Sequence, residues 1–96
     1  FASVYWNTQE NTAYIDAKEL PEPPRGKVYQ VWSLTMQPLT PTSLGLLANF
    51  EADDNKVFSL ENPNQSEAFG ITLEPEGGSE TPTMEQLYVL GTVAAP

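Results

Sequence analysis

The 96-residue sequence holds few groups able to do chemistry. It has no His and no Cys, which removes His-based triads and general bases, thiol nucleophiles, disulfide staples and Cys/His zinc sites. The best-spaced carboxylates are Glu74 and Glu76, which straddle Pro75 and could be held close enough for acid/base work. No base, nucleophile or oxyanion donor accompanies them, so the plainer account is a solvated pair in a Gly-rich loop. Glu51, Asp53 and Asn55 present oxygens at alternate positions, as a calcium loop does. The central Gly and distal Glu of such a loop are missing, and a solvated turn is expected instead. Gly77-Gly78 precedes no helix and has no Lys beside it, so it is not a phosphate cradle. A tight turn with positive φ is expected there, with Glu74 or Ser79 bonding loop amides. Asn64-Gln65-Ser66 spells a glycosylation acceptor, a short motif with many chance matches. No catalytic residue, cofactor or metal set is expected.

The aromatic residues Trp6, Trp32, Tyr5, Tyr14, Tyr29 and Tyr88 could form a platform for a sugar ring. Rings at alternating strand positions more simply fill a core or pair across strands, and here no two of them share a loop. The charge balance narrows the partners further. Four Lys/Arg against 13 Asp/Glu give a net charge of −9. A surface that negative repels phosphate backbones and anionic headgroups, which argues against nucleic-acid binding and electrostatic membrane docking.

The elements that would position these residues are strands. Nine prolines, spread from Pro21 to Pro96, leave little room for helix interiors. Leu, Ile, Val and Phe number 22 of the 96 residues, enough for one modest core. Between the prolines lie short runs of alternating character. The first is 2–6, with Val4 and Trp6 on one face. A polar turn at 7–11 leads to 12–17, with Ala13, Ile15 and Ala17 on one face, so the two runs read as a hairpin. Leu20 to Gly26 is a stiff connection placed across an end or edge of the sheet. Lys27 to Thr35 is the strongest strand, with large groups on both sides and thus a central place. A loop at 36–41, short strands at 43–47 and 56–60, and turns at 51–55 and 62–66 follow, with Phe50 closing the core. In 68–74, Phe69, Ile71 and Leu73 point inward, while Ala68, Gly70 and Thr72 form a small-residue face open to close approach. Residues 75–84 read as a loop and 86–93 as the last strand. About seven short antiparallel strands make an all-β sandwich of immunoglobulin-like architecture.

Two stretches carry a family resemblance. One is Leu20-Pro21 through Pro24, then Gly26-Lys27 and Tyr29-Gln30-Val31-Trp32. The other is Phe69 to Ser79, with Thr72, Glu74, Pro75, Gly77 and Gly78, followed by Pro82-Thr83. In this order and spacing, with Val4-Tyr5-Trp6-Asn7 at the start, Gly45 in the middle and Gly91 near the end, the chain resembles the extracytoplasmic C-terminal domain of the anti-sigma-K factor (RskA-type) family. Met84 stands where that family often has glycine. The signature positions Trp6, Pro24, Gly26, Tyr29, Gln30, Trp32, Thr72, Glu74, Pro75, Gly77, Gly78 and Pro82 are taken as structural.

The resemblance implies a single domain over 1–96, part of a membrane-anchored bacterial regulator. Its cytoplasmic part, not this segment, would bind a sigma factor. The present domain would lie in the periplasm, insert nothing into the membrane and meet an envelope protease or sensor. The start at Phe1 and the want of any apolar run of about 20 residues fit a piece of a longer chain. Two other classes compete. A sugar- or ligand-binding module requires two or more rings aligned on solvent. A carboxylate hydrolase built on Glu74 requires a cleft with a second acid about 5–10 Å away.

Overall fold

The computed structural model describes residues 3–7, 9–18, 20–35, 38, 40–47, 57–61, 66–83, 85 and 87–92; residues 3, 7, 57 and 87–92 are described by backbone alone. Its strands are β1 (Ser3–Asn7), β2 (Thr12–Asp16), β3 (Lys27–Thr35), β4 (Thr40–Leu46), β5 (Val57–Glu61), β6 (Ala68–Pro75) and β7 (Leu87–Thr92). They form two antiparallel sheets, a three-stranded one ordered β1-β2-β5 and a four-stranded one ordered β4-β3-β6-β7. The all-β sandwich expected from the alternating runs is the fold observed.

Alternation decides what fills the space between the sheets. Val4, Trp6, Ala13, Ile15, Phe58 and Leu60 come from the three-stranded sheet. Register sets them side by side: Val4 opposes Ile15, Trp6 opposes Ala13, and Ile15 in turn opposes Phe58. From the other sheet come Tyr29, Val31, Phe69, Ile71 and Leu73, with Tyr29 opposite Leu73 and Val31 opposite Ile71. Trp6 and Phe69 meet across the gap edge to face, centroids 6.0 Å apart at 74°, the geometry favoured by the ring quadrupoles.

The Leu20–Gly26 connection closes one end of this core. Leu20 is buried in it, and the Tyr29 hydroxyl donates to the Pro21 carbonyl at 2.6 Å. Pro24 accepts from the Lys27 amide (3.0 Å) as the chain turns into β3, and the Gly26 carbonyl accepts from the Glu76 amide (2.9 Å), one step beyond the β3–β6 ladder.

One boundary differs from the sequence reading by more than a residue. β4 begins at Thr40, so Pro41 lies inside a strand, opposite Leu34 of β3. A proline is tolerated there because β4 is the outer strand of its sheet, with one side free of ladder partners. The β3–β4 register also slips between Val31 and Trp32; Leu44 packs against the core, and Ser43 lies beside Gln30, whose amide it accepts. Phe50, the acidic 51–55 turn and most of 62–66 lie outside the described residues. Ser66 is described; its hydroxyl is hydrogen-bonded to that of buried Ser33.

Candidate functional site: a buried carboxylate under a strap

β3 is buried on both faces, and its second face is the unusual one. Val28, Gln30, Trp32 and Leu34 stand away from the sheet-to-sheet core, opposite Glu74, Thr72, Gly70 and Ala68 of β6. A sheet face turned away from the sandwich interior commonly meets water. Here Gln30, Trp32, Leu34, Ala68, Thr72 and Glu74 are all buried. Trp32, Leu34 and Ala68 make a small second apolar cluster. The small-residue face of β6 has the expected use: Trp32 stands opposite Gly70, and its Nε1 reaches two residues along to donate to Thr72 Oγ1 at 2.8 Å.

Glu74, Thr72 and Gln30 face the segment 76–83, which leaves the end of β6 and doubles back over this face. The Glu74 side chain has no exposed surface, so each of its oxygens needs partners. Oε2 accepts from the Thr72 hydroxyl (2.6 Å) and from the Thr83 amide (2.7 Å). Oε1 accepts from the Ser79 hydroxyl (2.8 Å) and the Thr83 hydroxyl (2.7 Å). All four donors are neutral. Burial pushes the Glu74 carboxyl up, but the hydrogen bonds from Thr72, from the amide and hydroxyl of Thr83 and from Ser79 outweigh it and hold the carboxyl below its ordinary value of 4.5.

Gln30 is the second anchor. Its Oε1 accepts the Ser79 amide (2.9 Å), while its Nε2 donates to the Ser79 carbonyl (3.1 Å) and to Ser43 Oγ on β4 (2.7 Å). The side-chain amide thus pairs with both backbone groups of Ser79, as a neighbouring strand would. The turn that brings Ser79 into place is closed by the Gly78 amide donating to the Pro75 carbonyl at 2.8 Å. Gly77 and Gly78 both have positive φ, 97° and 86°. Gly78 also brings the strap close against the sheet: a Cβ there would stand 3.0 Å from a Leu46 methyl and 3.2 Å from Gln30 Oε1. Pro75 is exposed at the bend and Pro82 is half-buried.

The expected tight turn is present, and one of its two expected side-chain partners takes the role. Glu74 does bond a loop amide, that of Thr83, but the Ser79 hydroxyl goes to Glu74 rather than to the backbone. Glu74 and Glu76 are not brought together either, because Glu76 is exposed on the strap while Glu74 is sealed beneath it. With its four acceptor positions filled, Glu74 has no lone pair directed at a substrate, and the hydrolase reading loses its acid.

The aromatic residues divide between interior and surface. Tyr29 and Trp32 are buried. Trp6 packs on the core, where its buried Nε1 finds no hydrogen-bond partner among the described residues. Tyr5 and Tyr14 are cross-strand partners on the outside of the three-stranded sheet, with the Tyr14 hydroxyl donating to Glu10 Oε1 at 2.9 Å. The Tyr88 side chain lies outside the described residues. Among the described residues, no three Asp or Glu gather as a metal set, and no helix is long and apolar enough to cross a membrane.

Of the residues that complete the clasp, Ser43 and Thr83 have no bonding role assigned from the sequence. A signal for Ser43 exists in Gln30, a polar amide in the middle of an otherwise apolar central strand. Such a group must find partners, and it finds them in the backbone of Ser79 and the Ser43 hydroxyl.

Comparison with known proteins agrees with the two sequence stretches that build this clasp. The family model for the C-terminal part of the anti-sigma-K factor RskA matches residues 1–87. The chain is 33% identical over 88 residues to the Streptomyces griseus "Uncharacterized protein in phr 5'region", covering 92% of this chain and 36% of that protein. It is 30% identical over 82 residues to the Mycobacterium tuberculosis "Anti-sigma-K factor RskA", covering 85% of this chain and 35% of that protein. The chain therefore spans about a third of the length of these relatives. No solved structure matches it. With nearly its whole length under the family model, the chain belongs to the anti-sigma-K factor RskA C-terminal family.

Proposed function

We propose that this chain is the extracytoplasmic domain of a membrane-anchored anti-sigma factor, and that it governs release of an extracytoplasmic-function sigma factor through regulated proteolysis. The family match over residues 1–87 carries the reading. Sigma-factor binding is assigned in this reading to the remainder of the parent protein; the chain corresponds to about a third of the length of its relatives, which leaves room for such a part. The contribution of this domain is its folded state. A sandwich whose four-stranded sheet is covered on both sides of β3 resists proteases while packed, and a change in the population of opened forms changes the rate at which the parent is cut. An envelope protease, with or without a sensor protein, is the partner this requires.

The test is a sigma-dependent reporter in cells carrying the parent protein with and without residues 1–96. Deletion should change reporter output and the lifetime of the membrane-bound parent. Equal output and equal lifetime would overturn the reading.

Tyr5 and Tyr14 favour one second reading, a module that binds an envelope glycan on the open sheet face. Titration of soluble glycan fragments against the chain, followed by NMR, should then shift the Tyr5 and Tyr14 ring signals. Unchanged spectra at millimolar fragment would remove it.

A further inference from the structure

We infer that segment 76–83 is a releasable strap, clasped to the sandwich at Glu74 and Gln30, and that it comes off as a unit while both sheets stay paired, giving a protease its first foothold. This rests on the proposed proteolytic control and names the place where it acts.

Few points hold the strap. Its hydrogen bonds to the strand residues Gln30 and Glu74 are made by two of its residues, Ser79 and Thr83. Glu76, Gly77, Glu80, Thr81 and Thr83 are exposed, and Gly78, Ser79 and Pro82 are half-buried, so the segment itself buries little. The Glu76 amide bond to Gly26 marks where the ladder ends and the strap begins. Beneath it, the sheet-to-sheet core of Ile15, Tyr29, Val31 and Ile71 contains no strap residue. A segment with few buried apolar atoms and a small set of discrete anchors opens at lower free energy than the core it covers.

The two anchors are linked. Ser79 bonds both Gln30 and Glu74, and Glu74 also holds Thr83. Loss of either anchor removes a point that orders the other, so the segment between them should dock and undock together. The clasp is also coupled to an optical reporter, because Thr72 donates to Glu74 while accepting from the Trp32 indole. The strap bears Glu76 and Glu80 on its exposed side, so a glutamyl endopeptidase is a suitable probe of its release.

The experiment is amide hydrogen exchange on the 96-residue chain and on Glu74→Gln and Gln30→Ala, each read at the anchor the substitution leaves intact. In Glu74→Gln the readout is the Ser79 amide, whose acceptor is Gln30. In Gln30→Ala it is the Thr83 amide, whose acceptor is Glu74. Both should exchange about tenfold faster or more, and in wild type and variants alike they should exchange well ahead of the Val31 and Ile71 amides, which open only with the sheets. Glutamyl endopeptidase should cut after Glu80 faster by a similar factor, and Trp32 emission, in a Trp6→Phe background, should shift with it. Two results would overturn the inference: each variant disturbing its own hydrogen-bond partner alone, or strap amides exchanging in step with Val31 and Ile71 throughout. If Glu74→Gln fails to fold, Gln30→Ala carries the test. The measurement needs no sigma factor, so it fails or succeeds separately from the reporter experiment.

Discussion

On the outside of the three-stranded sheet the middle row runs Tyr5, Tyr14, Ser59, and Tyr5 is 62% exposed. On the outside of the four-stranded sheet the corresponding row is Gln30 and Thr72, with Glu74 beside them, all buried under a returning segment. Both faces mix polar and aromatic residues on antiparallel strands, so local pattern does not separate them. What separates them is whether later chain comes back. Covering a face commits every polar group on it to find a partner, and Glu74, Gln30, Thr72 and Trp32 have all done so. On the open face water can serve instead, and substitutions there have little to break.

The largest test of this contrast is Trp32→Ala. The indole lies in the second apolar cluster and bonds Thr72, so urea unfolding should show a loss of about 3–5 kcal/mol. That is a large share of the stability of a domain this small. A loss below about 1 kcal/mol would mean the covered face is not packed as described. Next come the two strap glycines. Gly77→Val strains only the backbone and should cost about 1–2 kcal/mol. Gly78→Val adds a clash with Leu46 and Gln30 and should cost about 1–3 kcal/mol more. Equal losses would show that the strap does not press on β4.

Glu74→Gln removes a charge that four neutral donors hold and should cost about 1.5–3 kcal/mol near neutral pH. It also sharpens the pH behaviour. The folded carboxyl lies below its ordinary value of 4.5. Its contribution is therefore complete above that value and is lost as pH falls through the lowered one. Between wild type and Glu74→Gln, the stability gap should be constant from neutral pH down to about that value and narrow below it. A gap that widens on acidification would contradict the clasp. Smallest of all is Tyr5→Ser on the open face, within about 0.5 kcal/mol of wild type. A clearly larger loss would mean that this face, too, is covered.

The sequence made the strands legible because alternation and proline placement are local. Val4 and Trp6, Ala13 and Ile15, and Phe69, Ile71 and Leu73 each declare one side of a strand, and those sides do form the core. The positive-φ turn at Gly77-Gly78 was legible for the same reason, since conformational freedom is a property of the residue. β4 starts earlier than its residues suggest, because Pro41 argues against a strand until the strand is known to lie at an edge. The candidate site was half legible. Gln30, Trp32, Thr72 and Glu74 stood out, but Glu74 paired with Glu76 on paper, whereas the fold turns one inward and the other out to water.

By itself the sequence determined an all-β chain, one hydrophobic face per strand, a glycine turn after β6 and a family. The tertiary structure alone decided that the second face of β3 and β6 is also interior, with Glu74 as its keystone. The reason is range. Strand periodicity and turn preference act between residues a few positions apart. The burial of Glu74 depends on Ser79 and Thr83 folding back, and that of Gln30 on meeting Ser79, 49 positions away.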